Sequence, residues 1–145
     1  MSADTRAFAL KNGHAPVADK VVCVDFDGTL FPFGEIYSFN DPLPGAVEAM
    51  TRLREAGMRI VIFTSRLSPT WLEAEYGNTW AFEAEAQRHY IGKQLDRFGI
   101  PFDLITCEKV PAIAYIDDKA LRFDGFNWFR LAAIALHAGG KTWLN

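Results

Sequence analysis

Apolar and polar positions along the chain fall into alternating blocks of two periods. Residues 20–25, Lys-Val-Val-Cys-Val-Asp, are a continuous β-branched apolar run, which predicts a strand buried on both faces of a parallel sheet. From Phe26 to Pro44 the chain carries Gly28, Pro32, Gly34, Pro42 and Pro44, the chemistry of turns. Val47, Met50, Leu53 and Arg54 then recur at helical spacing, and Gly57 is placed to end that helix in the left-handed conformation. Residues 59–64, Arg-Ile-Val-Ile-Phe-Thr, predict a second buried strand that ends in Thr64, Ser65 and Arg66.

After Pro69 the pattern is helical with a break at Gly77-Asn78. Phe82, Ala86, Tyr90, Ile91, Leu95 and Phe98 then trace one face, closed by Gly99-Ile100-Pro101. Short strands are predicted at 102–106 and 112–117, and a last helix over 127–137 before Gly139-Gly140. Strands alternating with helices predict an α/β fold: a three-layer α/β/α sandwich around a mainly parallel, Rossmann-like sheet, with no room for a large cap.

Composition narrows this picture. A chain of 145 residues at 50% hydrophobic content supports one domain, assigned to residues 19–145, with 1–18 as a tail or edge decoration. Fifteen Lys+Arg against eighteen Asp+Glu give a net charge of -3, so nucleic acid is disfavoured as a partner. Cys23 and Cys107 sit in apolar runs without metal-site or disulfide spacing and are read as buried thiols in a reducing compartment. The N-terminal stretch has no apolar signal core. The segment 126–138 is interrupted by Asn127 and Arg130 and falls short of the ~20 residues of a membrane helix, so it reads as a core helix. A cytoplasmic protein without membrane contact is the expectation. The sequence leaves the oligomeric state open.

In a parallel α/β sheet ligands bind beyond the carboxyl ends of the strands. Three predicted strands deliver Asp25 and Asp27, Thr64, and Asp117 and Asp118 to that edge. Two aspartates one residue apart at a strand end can take different roles, because side-chain alternation breaks where the chain turns at Gly28. Adjacent acids such as Asp117-Asp118 repel each other after a buried strand unless a cation is present.

Asp25-Phe26-Asp27-Gly28-Thr29-Leu30 resembles the first motif of the haloacid-dehalogenase superfamily of phosphohydrolases. Ile60 to Ser65 is similar to the second motif, Lys109 to the third, and Tyr115-Ile116-Asp117-Asp118 to the fourth, in the same order. The resemblance implies that Asp25 is a phosphoryl-accepting nucleophile and Asp27 a general acid/base. It implies that Thr64, Ser65 and Lys109 bind the phosphoryl group, and that Mg²⁺ is held by Asp25, the Asp27 backbone carbonyl and Asp117 or Asp118. One departure is Val110, which stands between Lys109 and Pro111 where relatives often have the proline next. The implied activity is Mg²⁺-dependent hydrolysis of a small phosphorylated metabolite, nucleotide or sugar. The alternatives are a nucleic-acid end-processing phosphatase and a non-catalytic binding module of the same fold.

Phe31, Phe33, Tyr37 and Phe39 lie on the flap after the nucleophile, equally suited to gripping a leaving group and to local packing, whereas Trp71, Tyr76 and Trp80 read rather as packing. His14, His89 and His137 lack ligand spacing and receive no chemistry.

Overall fold

The computed structural model describes Phe8 and residues 20–141. In chain order the elements are β1 (Val21–Val24), α1 (Ala46–Glu55), β2 (Arg59–Phe63), α2 (Pro69–Tyr76), α3 (Trp80–Arg97), β3 (Leu104–Thr106), β4 (Ala114–Ile116) and α4 (Trp128–Ala138). The tail expected over residues 1–18 lies outside the described residues except for Phe8.

All strand pairs are parallel, in the order β3-β2-β1-β4. This is the small Rossmann-like α/β sheet that the strand–helix alternation predicts, with flanking helices and no large cap. Because side chains alternate along a strand, each sheet face gathers every second residue. Val22, Val24, Ile60, Ile62 and Ile105 meet Met50 of α1 and Ile91 and Leu95 of α3 in one core. Val21, Cys23, Val61 and Leu104 form the other, where Phe8 and Val110 cover them. The Arg59 guanidinium stands 3.6 Å from the Phe8 ring centroid and fixes this N-terminal contact.

Two polar contacts anchor β2 at its start. Asp103 accepts the Ile60 N–H at 2.7 Å and pairs with Arg54 at 3.0 Å, tying the end of α1 to the approach to β3. Gly57, at φ 84, ends α1 in the left-handed turn that its lack of a Cβ allows.

Three expectations are corrected. Tyr90, Ile91, Leu95 and Phe98 of the predicted α3 face do pack in or against the main core, but its N-terminal part does not, since Phe82 is 82% exposed. Gln87 and Gln94 are buried on that helix as well, which a hydrophobicity pattern does not signal. Trp71 points to solvent and packs in no core. The segment read as a core helix becomes α4, which forms as a helix but has no buried residue. Its apolar composition is as expected, but among the described residues no sheet face or helix buries it.

Candidate active site

The carboxyl ends of β1, β2 and β4 meet at one edge because the ladder continues past the strands. The Asp25 N–H donates to the Ile116 carbonyl at 2.9 Å, and the Thr64 N–H to the Thr106 carbonyl at 2.9 Å. These bonds hold Asp25 beside the chain that runs on to Asp117, and Thr64 beside β3.

After Asp25 the chain makes a tight turn. Leu30 and Phe31 N–H groups both donate to the Phe26 carbonyl, and the Gly28 N–H to Phe31, 2.7 Å away. Gly28 adopts φ 77, and a Cβ there would stand 2.5 Å from the Phe33 ring and 2.7 Å from an Asp118 carboxylate oxygen. Conformation and space both demand glycine. The Asp118 side chain thus reaches the first-strand turn through the room that glycine leaves.

Asp25, Asp117 and Asp118 each offer a carboxylate oxygen, and the three oxygens lie within 4.8 Å of one another. Such crowding disfavours simultaneous ionisation. Burial first, then the Asp117 and Asp118 carboxylates, push the Asp25 pKa from 3.8 up to about 7, against the lowering effect of the Phe26 N–H. An all-oxygen, acid-rich donor set of this kind fits a hard divalent cation such as Mg²⁺ and offers no soft ligand.

Asp27 has a different environment. Both its oxygens accept from Arg66, from Nε at 2.8 Å and Nη2 at 2.7 Å, in a bidentate pair that is largely shielded from solvent. Arg66 also donates to the Ile36 carbonyl and to Gln87 Oε1, and its guanidinium lies 5.4 Å from the Phe26 ring centroid and 5.5 Å from that of Tyr90. Gln87 in turn donates to Glu83 at 3.0 Å, which accepts the Tyr37 hydroxyl at 2.7 Å. One chain of polar contacts therefore joins Asp27, α3 and the flap that carries Ile36 and Tyr37.

Thr64 is buried at the end of β2, and its hydroxyl oxygen accepts the Arg66 N–H at 3.2 Å, which leaves the hydroxyl hydrogen to donate elsewhere. Ser65 is exposed and lines the cleft. That cleft, about 530 Å³, is also lined by Asp25, Asp27, Asp117, Asp118, Arg66 and Lys119. Lys109 does not line it. Its Nζ sits 5.5 Å from the centroid of the Tyr115 ring, whereas Lys119 lines the cleft with its Nζ 5.1 Å from the Phe33 ring. Val110 enters the second core, and the turn that buries it coincides with this placement of Lys109.

Among the flap aromatics, Phe31 is buried in the main core, and Phe33 and Tyr37 are exposed at the cleft side and toward α3. Cys23 is buried and Cys107 half-buried, and burial pushes both thiols up, so neither has thiolate character to offer. Arg66, Gln87 and Lys119 were missed as site residues. Arg66 follows Thr64-Ser65 directly and was legible as a strand-end cation. Gln87 became visible only as a buried polar residue on α3.

No family model matches the chain, and no curated protein matches it. Among solved structures, a conserved protein of Bacteroides thetaiotaomicron is similar at 19% identity, covering 87% of this chain and 95% of that one, with a TM-score of 0.43. Among the described residues no helix is long and apolar enough to cross a membrane.

Proposed function

We propose that the chain is a Mg²⁺-dependent phosphomonoester hydrolase of the haloacid-dehalogenase type, acting on a small phosphorylated substrate through an aspartyl-phosphate on Asp25. The observation that carries the reading is the convergence of Asp25, Asp117 and Asp118 within one 4.8 Å cluster, beside a separately held Asp27. Three acids so close need a cation to be ionised together, and an ionised Asp25 is what a nucleophile requires. Mg²⁺ held by Asp25, Asp117 or Asp118 and the Asp27 carbonyl would offset the repulsion between a carboxylate and a phosphate dianion.

An Asp25 oxygen attacks phosphorus in line, and the bond from phosphorus to the leaving oxygen breaks. Asp27 supplies the proton that the leaving oxygen takes up. Asp27 then accepts a proton from water as that water attacks the same phosphorus, which releases phosphate and frees Asp25. Ser65 and Lys119 line the cleft as donors for the phosphoryl oxygens, with Lys119 in the part expected of Lys109, whereas Thr64 is buried at the end of β2 and does not line it. Because Arg66 occupies both Asp27 oxygens at rest, proton transfer requires Asp27 to turn from it.

The test is turnover of a panel of phosphorylated metabolites and of 3′- and 5′-phosphorylated oligonucleotides, with Mg²⁺ and after chelation. Mg²⁺-dependent phosphate release with retained configuration at a chiral phosphoryl group is the expected result, since two in-line displacements retain and one inverts. Inversion would remove the nucleophile role from Asp25. Inactivity on the whole panel would favour a non-catalytic binding module.

A further inference from the structure

Beyond the cleft, the chain changes character after β4. By register Ala114 and Ile116 pair with Val22 and Val24 and so belong to the face that α1 and α3 cover elsewhere. At β4 none of the described residues buries that face. Ala114 is exposed and Ile116 is 45% exposed, although β1 beside them is buried along its length.

The helix that follows has the opposite lack. In α4, Trp-Phe-Arg-Leu-Ala-Ala-Ile-Ala-Leu-His-Ala, only Arg130 and His137 are polar, so it has almost no face suited to water. A helix apolar nearly all round is stable when buried. Here Trp128 is 65% and Ile134 40% exposed, and Phe126 just before them is 94% exposed. Phe123 and Trp128 stack at 4.6 Å between ring centroids, which orders the start of the helix without covering it.

With aromatic side chains offering about 150–250 Å² each, the apolar surface from Ile116 to Ile134 is roughly 700 Å². Summed over these side chains, that approaches the ~800 Å² that each partner contributes to a standard interface. Among its described residues the chain thus presents a sheet face that no helix buries and a helix that no sheet face buries. We propose that a second copy of this chain is the occupant, in a two-fold dimer where α4 of each chain covers the β4 face of the other. Such an arrangement closes on itself and leaves neither surface over. A lipid surface suits α4 poorly, because an interfacial helix needs a strongly charged face opposite its apolar one. The dimer would also hold both ends of the 117–127 segment, which begins with two of the clustered acids.

The experiment is sedimentation equilibrium of the full chain from sub-micromolar to hundreds of micromolar. The expected result is a concentration-dependent approach to twice the 16.3 kDa chain mass. Trp128→Asp and Ile116→Arg should each give monomers that keep their circular dichroism. Mixed together they should form a heterodimer, because one unsubstituted helix–strand contact survives in it. The milder Trp128→Ala should raise the dissociation constant about 10-fold or more, which keeps the proposal testable if a charged variant fails to fold. A wild-type chain that is monomeric throughout would overturn the proposal, as would a dimer untouched by Trp128→Ala. Failure of the two folded variants to recombine would overturn the reciprocal arrangement. A monomer that binds anionic phosphatidylserine vesicles would assign the face to lipid instead.

Discussion

Strands β1 and β4 are neighbours in one sheet, paired in register, yet they live in different environments. All four residues of β1 are buried between two cores, while β4 is exposed, half-buried and exposed in turn. The candidate site spans this boundary. Asp25 extends from the well-packed strand, and Asp117 and Asp118 extend from the sparsely packed one. Rigid placement of one carboxylate beside two on a less supported loop is an arrangement in which ligand binding can do part of the ordering.

The largest effect should come from the well-packed side. Asp25→Asn keeps shape but removes the attacking carboxylate, so on the proposed mechanism turnover should drop at least about 10⁴-fold. The fold should survive, because the substitution also relieves the crowding with Asp117 and Asp118. Single-turnover assays with matched melting curves check both halves. Activity near wild type in the Asn variant would end the nucleophile assignment.

Next in size is Ile62→Ala. Ile62 is wholly buried between β1, β3 and the helices α1 and α3, so the lost transfer energy and the cavity left behind should cost about 2–5 kcal/mol. Denaturant unfolding measures this directly. A cost below about 1 kcal/mol would mean that the core relaxes around the gap more than its packing implies.

A smaller and signed effect should appear with pH in the metal-free chain. Asp25 titrates at about 7 when folded against an ordinary 3.8, so between those values the folded state holds a proton that the unfolded state has released. The favourable contribution is full below the unfolded value and is lost as pH rises through the folded one. Relative to Asp25→Asn, wild type should therefore lose thermal stability from about pH 4 to about pH 7. On the proposed metal site, Mg²⁺ added above that window should restore it by binding the folded cluster. Melting curves of the two proteins across pH, with chelator and with Mg²⁺, read the difference. A parallel pair of curves, or no response to Mg²⁺, would mean the three acids do not act as a unit.

The same contrast explains what was legible in the sequence. Continuous Val/Ile runs ending in polar residues, Asp25 after β1 and Thr64-Ser65-Arg66 after β2, located both strands, because burial on both faces leaves no polar interruption to blur the pattern. The acids brought together, Asp25, Asp117 and Asp118, were all readable at strand ends. Lys109 was readable as a cation in the right order along the chain. Its distance from the cleft depends on how Val110 packs, which is tertiary information. The Arg66–Gln87–Glu83–Tyr37 linkage joins residues far apart in sequence, and it needed the helix face to be known first. The exposure of α4 was illegible for a related reason: an apolar helix announces that it needs a cover, and never which chain provides it.

The smallest expected effect sharpens the comparison from its weak side. Phe126 is 94% exposed, so in dilute, monomeric protein Phe126→Ala removes no packing and should change unfolding free energy by within about ±0.5 kcal/mol. Deleting a buried phenylalanine would instead cost about 3–5 kcal/mol. The contrast with Ile62→Ala is thus a contrast between a side chain already surrounded and one still waiting for contact. Denaturant unfolding at sub-micromolar concentration makes the comparison on a single scale. If Phe126→Ala there cost as much as Ile62→Ala, the ring would be buried within one chain. That would mean α4 folds back over its own β4, and the difference between the two strands would vanish in solution. If the cost is negligible when dilute and grows with protein concentration, the missing packing is supplied by association, because only a bound partner makes stability depend on concentration.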